Sequence, residues 1–290
     1  MTCPFLKEAQ VKYCRTAAVR KLIPLSLSGP AEEKCGMPAH ASCPVYRMQP
    51  EERSASGPCP YLHESLMQYC GAAPVTKFVP YSESLLSCCG NDSFRYCELY
   101  LSLAHPGLPT EEVDGIPLPD RLSYSANHMW LDVTDDGVCH AGIDAFLSRV
   151  LGPVERVSYV WLKGRHRPAA VLSAAGIDLE VVFPNPFLLT NCNLYLRADP
   201  TRLATEPYTG GWLFEGRPED GTRDHLLEGA EARAWMEQDV RGINEFLQQR
   251  QPGSMAADGG LFSAGLSRHL EREQMLALFH EFFSPYASGK

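Results

Sequence analysis

The sequence contains no apolar run long enough to cross a membrane. Its longest are interrupted by Pro, Asn or charge within about ten positions, where a span needs roughly twenty. Residues 1–10 (MTCPFLKEAQ) lack an apolar secretory segment, so export is not expected and the chain is read as cytoplasmic. Basic charge is in deficit, 26 Lys+Arg against 35 Asp+Glu for a net charge of −9. That argues against nucleic acid as a partner, because phosphate binding needs a basic surface. Also missing are the G-x-G-x-x-G dinucleotide loop, the G-x-x-x-x-G-K-[ST] phosphate loop, H-E-x-x-H and the G-x-S-x-G elbow. Gly260–Gly265 (GLFSAG) comes nearest to the last, with its glycine one place too early. His128, His140, His225, His269 and His280 are scattered and read as surface or core residues. Cys139 and His140 are neighbours, but adjacent residues of a strand point to opposite faces. Asp135-Asp136-Gly137 reads as a hairpin turn before it reads as a cation site. The expectation is a protein that is not an enzyme.

What is present is a 290-residue globular composition, 44% hydrophobic and 21% charged, with chain enough for a real core. Its unusual feature is 11 cysteines in a chain with no sign of export. Nine precede residue 100, and Cys139 and Cys192 alone lie beyond. Charge divides at the same place. Residues 1–104 hold 10 Lys+Arg and 9 Asp+Glu, leaving 16 and 26 for the remainder. Between the two parts runs the stretch 105–121, which carries four prolines (106, 109, 117 and 119) and reads as a linker or extended crossing. The expected domains are 1–104, a linker over 105–121, a body over 122–250 and a tail over 251–290.

The first domain repeats itself. Cys3–Ser28 aligns without a gap on Cys59–Ser84 with 12 identities in 26 positions, both cysteines included. The match resumes at Cys35 and Cys43 against Cys89 and Cys97, giving repeats over 3–46 and 59–100. Each unit reads C-x10-C, then C-x7-C, and Met48–Pro58 connects them. Four cysteines repeated in register suggest thiolate metal ligands: Cys3, Cys14, Cys35, Cys43, Cys59, Cys70, Cys89 and Cys97, holding zinc or an iron–sulfur cluster. A disulfide framework and buried packing thiols are the other readings. The specific C-x2-C zinc knuckle is absent. A helical Cys3–Cys14 would hold its ends roughly 16 Å apart, so a shared ion requires the segment to bend or the thiols to pair elsewhere. Cys88, Cys139 and Cys192 have no counterpart and read as structural.

From Leu122 the texture becomes that of short strands. Trp130–Val133, Val157–Leu162, Ala170–Leu172, Leu179–Phe183 and Cys192–Leu196 are β-rich runs. Ala141–Leu151 has helical spacing and ends at Gly152-Pro153. The expected class is α+β, a compact β-barrel or sandwich with an inserted helix. Asn127–Leu131 (NHMWL) resembles the His-x-Trp opening of the glycine cleavage system H protein. Ala141-Gly142-Ile143-Asp144 and Leu151-Gly152-Pro153 resemble that family's helix start and Leu-Gly-Asp. Glu206–Phe214 (EPYTGGWLF) resembles its Asp/Glu-Pro-Tyr-x-x-Gly-Trp-Leu signature. Pro184, Asn193, Pro200 and Pro207 keep the family's spacing back from Trp212, and Leu226–Trp235 resembles its closing helix. The resemblance covers about residues 122–247 and implies a lipoyl-type hammerhead fold.

The family carries lipoate on a lysine at a hairpin tip within Glu-Ser-Val-Lys, and the same register puts Gly176 there. No lysine occurs between Lys163 and Lys290, so a short slip supplies no amine. The resemblance therefore implies the family's body without lipoate. Met236, Val240, Ile243 and Leu247 predict a helix with one apolar stripe, and Ala264–Phe283 predicts another. The second packs on the body or docks a partner through Phe279, Phe282, Phe283 and Tyr286. The functional expectation is a non-catalytic H-protein-like protein with a Cys-ligated metal module, acting in protein interaction or redox sensing. Its partner would be a protein, with no nucleic acid and no membrane. The alternatives are an iron–sulfur electron-transfer or carrier component of an enzyme complex, and a residual glycine-cleavage role without lipoate.

Overall fold

In a computed structural model the residues described are 1–17, 23–24, 34–48, 57–75, 77–79, 88–104, 111–160, 167–250, 262 and 264–284. The chain forms two compact units, Met1–Phe94 and Arg95–Lys290.

The first unit is built on strands β1 (Leu6–Cys14), β2 (Ile23–Pro24), β3 (Leu62–Cys70) and β4 (Lys77–Val79), in sheet order β2-β1-β3-β4. The central pair is antiparallel, from Leu6 opposite Cys70 to Cys14 opposite Leu62, with Gln10 facing Leu66 at its midpoint. Gln10 and Leu66 are counterparts in the sequence repeat, so the ladder has a local two-fold axis through that pair. The edges obey the same relation: Lys12 faces Ile23 as Gln68 faces Val79. Leu6–Gln10 (LKEAQ) is made of good helix formers. Pairing with β3 overrides that preference and leaves Val11 wholly buried at the sheet centre. Short 3-10 turns at Lys34–Gly36, Pro38–Ser42 and Cys88–Gly90 and a single helical turn, α1 (Pro44–Arg47), also belong to this unit, and a further 3-10 turn, Asp92–Tyr96, begins in it.

The second unit opens with α2 (Glu98–Ala104). Within the stretch expected as a linker, β5 (Glu111–Val113) and β6 (Ile116–Leu118) form a hairpin that buries Val113, Ile116 and Leu118 in the core. Residues 105–110 lie outside the described residues. Next come β7 (Ser123–Tyr124), β8 (Met129–Val133), β9 (Cys139–Ile143), α3 (Ala145–Leu151) and β10 (Arg156–Val160). They are followed by β11 (Ala169–Ala174), β12 (Ile177–Val182), β13 (Leu188–Cys192), α4 (Arg202–Thr205) and β14 (Phe214–Arg217). One sheet runs β13-β14-β9-β8-β7 and the other β10-β11-β12, and both contribute to one core. The expected barrel is not closed among the described residues. β10–β12 pair with one another, and the larger sheet continues past β7 only as an isolated bridge from Tyr124 to Leu227.

Three of the resembling motifs meet at Trp130. Its indole N–H donates to the carbonyls of Ile143 (2.9 Å) and Pro207 (3.0 Å). Gly142 makes room for the ring, since a Cβ there would stand 2.9 Å from the indole carbon Cζ2. The helix expected over Ala141–Leu151 begins only at Ala145. Residues through Ile143 belong to β9, and the Asp144 side chain caps the helix by accepting from the Leu147 N–H at 2.8 Å. The run Cys192–Leu196 likewise ends as a strand at Cys192. The Asn193 side chain then accepts from the Tyr195 N–H and turns the chain into a 3-10 helix.

The tail closes on the same core. In α5 (Gly229–Arg250), Met236, Val240, Ile243 and Leu247 are all buried. In α6 (Arg272–Phe283), Leu278, Phe282 and Phe283 are buried, so its aromatic face packs inward on its own chain. Residues 251–261 and Tyr286 lie outside the described residues. Gly152 and Gly265 mark the closest approach: a Cβ on Gly152 would lie 2.6 Å from the Gly265 Cα. The Gly265 N–H donates to the Arg149 carbonyl there, and the Ser267 hydroxyl donates to that of Leu151. No described helix is long and apolar enough to cross a membrane.

Candidate functional site

The hairpin β11–β12 is the place where the resemblance puts chemistry. Its register runs from Ala169 opposite Val182 to Ala174 opposite Ile177, leaving Ala175 and Gly176 as a two-residue loop. Both have positive φ, +50° and +74°, as a type I′ turn requires. Ala170, Leu172, Leu179 and Val181 face inward and fix that register through burial. At the base of the tip Ser173 donates to Asp178 at 2.5 Å, with Arg156 at 3.4 Å. The Ser173 hydroxyl first, and the Arg156 guanidinium after it, hold the Asp178 carboxyl below its ordinary range. Gly176 stands in open space, with nothing within 4 Å of where a Cβ would be. The turn presents backbone and no amine, so an amide-linked arm has no attachment there.

The same unit contains a buried charge centre. His128, in the turn between β7 and β8 at φ +63°, places Nδ1 2.7 Å from Asp144 and Nε2 3.2 Å from Asp239. Its ring stacks on Phe146 at 4.3 Å and contacts Trp235 and Phe283. Burial pulls the imidazole pKa down, but Asp144 and then Asp239 outweigh it and raise it to about 9. The group is therefore an imidazolium at neutral pH, clamped between the cap of α3 and the middle of α5. Enclosed by rings and two carboxylates, it serves cohesion.

A second polar cluster sits beside β9. Tyr96 donates to Asp132 at 2.5 Å, and Arg121 reaches the same oxygen at 2.8 Å. His140 stacks on the Tyr96 ring at 3.9 Å and holds Glu215 through Nε2 at 3.2 Å. His140 Nδ1 and Trp212 Nε1 are buried without hydrogen-bond partners. Cys139 is pushed up to about 12 and Cys192 to about 11, by burial in both cases. A thiol so held stays protonated and is a poor nucleophile. The register puts Cys139 opposite Gly216 and His140 opposite Glu215.

The described residues contain no disulfide. Among them, no group of three or more His, Cys, Asp or Glu side chains is gathered closely enough to hold a metal ion. The backbone nevertheless sorts the eight repeated cysteines. Cys14 and Cys70 end their strands at opposite ends of the central ladder, eight residues or roughly 27 Å apart along it. The Cys3 N–H donates to the Cys89 carbonyl at 2.9 Å, and the Cys59 N–H donates to the Cys35 carbonyl at 2.7 Å. Cys3 therefore lies at the Cys70 end and Cys59 at the Cys14 end. Cys3 and Cys14 of one repeat are not brought together. Cys43 closes the Pro38–Ser42 turn, its N–H donating to His40, while Cys97 belongs to the second unit. Burial pushes the Cys14 thiol up, but hydrogen bonds with Thr16 and the Ala17 backbone outweigh it and leave it below its ordinary value. The signal for this sorting was present in the sequence only as the repeat itself.

Among known proteins, no family model matches the chain. The glycine cleavage system H protein of Alkalilimnicola ehrlichii is 30% identical over 107 residues, 36% of this chain and 82% of that protein. That of a Psychrobacter species is 27% identical over 117 residues, 39% of this chain and 93% of that protein. A crystal structure of the H protein from Mycobacterium marinum overlaps 42% of this chain and 98% of its own, at 23% identity and a TM-score of 0.37.

Proposed function

Because this chain belongs to the glycine cleavage system H protein family over about 40% of its length, we propose that the H-protein-like part works as a lipoate-free body for protein interaction. On this reading the protein is cytoplasmic and not itself a catalyst. Its Cys-rich unit adds a thiolate-ligated metal, zinc or iron–sulfur, that ties the interaction to redox state. One observation carries the reading of the body: the hairpin tip, where the family's lysine would stand, holds Gly176 in open space. Lipoate attaches through an amide to a side-chain amine, and glycine offers none. The fold that positions the arm is kept while the arm is lost, which leaves recognition of a protein as the role the body can still perform.

The test is direct. The full chain is incubated with lipoate ligase, lipoate and ATP, and its intact mass is measured beside a lysine-bearing H protein. The control gains the lipoyl mass and this chain does not. A lipoyl adduct on this chain would overturn the reading.

A further inference from the structure

We propose that the Cys-rich unit carries two reversible disulfide sites, Cys3 with Cys89 and Cys35 with Cys59, each joining a buried thiol to a half-buried one. This rests on the redox part of the function proposed above and needs no bound metal.

The geometry comes from the main chain. The Cys3 N–H donates to the Cys89 carbonyl at 2.9 Å, and the Cys59 N–H donates to the Cys35 carbonyl at 2.7 Å. Standard bond lengths then keep the two Cα atoms of either pair no more than about 6.7 Å apart. Disulfides span Cα separations of about 4.4–6.8 Å. Both pairs therefore stand within bridging reach, and closing them calls for side-chain rotation rather than movement of the chain. The two pairs also occupy matching places. Cys3 corresponds to Cys59 in the repeated spacing, and Cys89 to Cys35. A turn of the same form follows each donor, Leu6 N–H to the Cys3 carbonyl at 3.0 Å and Leu62 N–H to the Cys59 carbonyl at 2.9 Å. Burial divides in the same way. Cys3 and Cys59 are each 7% exposed, whereas Cys89 and Cys35 are half-buried. Two separate stretches of chain thus reach one arrangement, a thiol that solvent can reach beside one that is covered. Pairing within one repeat is worse placed, because the nine residues of β1 hold Cys3 and Cys14 at opposite ends, as β3 holds Cys59 and Cys70.

That division of exposure suits stepwise exchange with a low-molecular-weight disulfide, oxidised glutathione. The thiolate of the outer cysteine, Cys89 or Cys35, attacks one glutathione sulfur, forming a mixed disulfide and expelling the other glutathione as its thiolate. The thiolate of the inner cysteine, Cys3 or Cys59, then attacks the outer cysteine's sulfur and expels the second glutathione. Each site loses two electrons and two protons, and one oxidised glutathione becomes two reduced ones. Any hydrogen bond that a thiol donates in the reduced chain is given up with its proton. The cysteines are thiols in the structure, the resting form in a reducing compartment, where disulfides serve as transient sensors. Cys3 precedes β1 at the Leu6–Cys70 end of the ladder and Cys59 precedes β3 at the Cys14–Leu62 end. Oxidation therefore clamps the chain at both ends of the β1–β3 pair, and reduction releases it.

Disulfide mapping of the full, unaltered chain tests this. The protein is reduced, stripped of metal by a chelator and equilibrated with glutathione at rising proportions of its oxidised form, then alkylated, digested and analysed by mass spectrometry. Peptides linked Cys3–Cys89 and Cys35–Cys59 are expected, rising together across the titration and lost on adding dithiothreitol, with the remaining cysteines alkylated. Links Cys3–Cys88, Cys3–Cys70, Cys14–Cys59 or Cys3–Cys14 in their place overturn the assignment. So does a chain alkylated at every cysteine under the most oxidising mixture. Hydrogen exchange supplies a second measurement: amides at both ends of the β1–β3 ladder exchange more slowly in the oxidised chain than in the reduced one, and equal rates overturn the clamp. Metal content of the reduced chain, measured before chelation, separates this proposal from the metal reading. Bound metal with neither link overturns the pairing and leaves the metal reading standing, whereas both links with no metal do the reverse.

Discussion

Replacing Asp144 by Asn isolates the charge that holds the second unit's core together. His128 is wholly buried, and its two carboxylate partners raise its pKa from the ordinary 6.5 to about 9. A histidine raised on folding stabilises the folded state fully below pH 6.5, and that contribution disappears as pH rises through 9. At about 1.4 kcal/mol per unit the full contribution is on the order of 3 kcal/mol. About 2 kcal/mol of it is lost between pH 6.5 and 8.5. Asp144 is the stronger of the two partners, at 2.7 Å against 3.2 Å for Asp239. Asn keeps the cap on the Leu147 N–H, because Asn and Asp cap helices about equally well. The substitution thus removes charge and little else. Asp144→Asn is expected to cost about 3–5 kcal/mol at pH 6, the range for breaking a buried pair. It should also reduce the slope of stability between pH 6.5 and 8.5 to less than half. All four tryptophans lie beyond residue 94, so urea unfolding followed by tryptophan fluorescence reads the second unit alone. Cys139 and Cys192, held up to about 12 and about 11, add a loss of the same sign, but only near pH 9 and above, where the unfolded thiols ionise first. The window below pH 8.5 belongs to His128. An unaltered protein whose stability is flat or rising across that window would refute the reasoning, and so would a variant with the same slope.

Gly176→Lys puts an amine at the open hairpin tip and should turn the chain into a substrate of lipoate ligase, seen as a lipoyl mass gain absent from the unaltered protein. An unmodified variant that still folds would show that the flanking Ser173–Asp178 segment has also lost what the ligase reads. Gly152→Ala forces a Cβ to 2.6 Å from the Gly265 backbone at a φ of +66°. A loss of about 2–4 kcal/mol in the same urea assay is expected from that clash and strain, and a loss under 0.5 would contradict the close approach. Trp130→Phe leaves the Ile143 and Pro207 carbonyls without their shared donor. It should cost about 2–3 kcal/mol, the range for unsatisfied buried acceptors plus lost packing, with little change in the far-ultraviolet dichroism of the folded protein.

The second unit was largely legible because its signals are local. Asn127–Leu131, Gly142 and Pro207 were read as separate motifs of one family, and in the fold they meet around a single indole. The stripe of Met236, Val240, Ile243 and Leu247 predicted α5 because helical burial has a period that sequence displays. What was missed has little local signal. β9 (CHAGI) and β14 (FEGR) contain glycine and few strong strand formers, and they exist because neighbouring strands need a partner. The closed barrel failed for the complementary reason: strand number and length are local, whereas closure depends on which edges meet.

The candidate sites divide along the same line. That Gly176 stands at the hairpin tip could be read from sequence, because the register was countable from the flanking motifs. The thiol sets could not. The repeated spacing sorts eight cysteines into four matching pairs, but it does not say which of them are neighbours. That depends on one further quantity, the register of β1 against β3. Shifting the ladder by two residues would preserve every sequence equivalence and every inward-facing side chain, yet would carry Cys70 two positions past Leu6 and out of reach of Cys3. The register is held by the burial of Val11 and by the paired bonds of Gly71 and Arg15 to the opposite turn. A substitution that breaks those bonds, rather than any cysteine, is therefore the more searching probe of the register. Gly71→Pro removes the N–H that bonds Phe5 while leaving all eight sulfurs in the chain. Hydrogen exchange of the backbone amides should quicken at the Leu6–Cys70 end of the ladder and stay slow at the Cys14–Leu62 end; equal protection at both ends would show that the Gly71 bond does not hold the register.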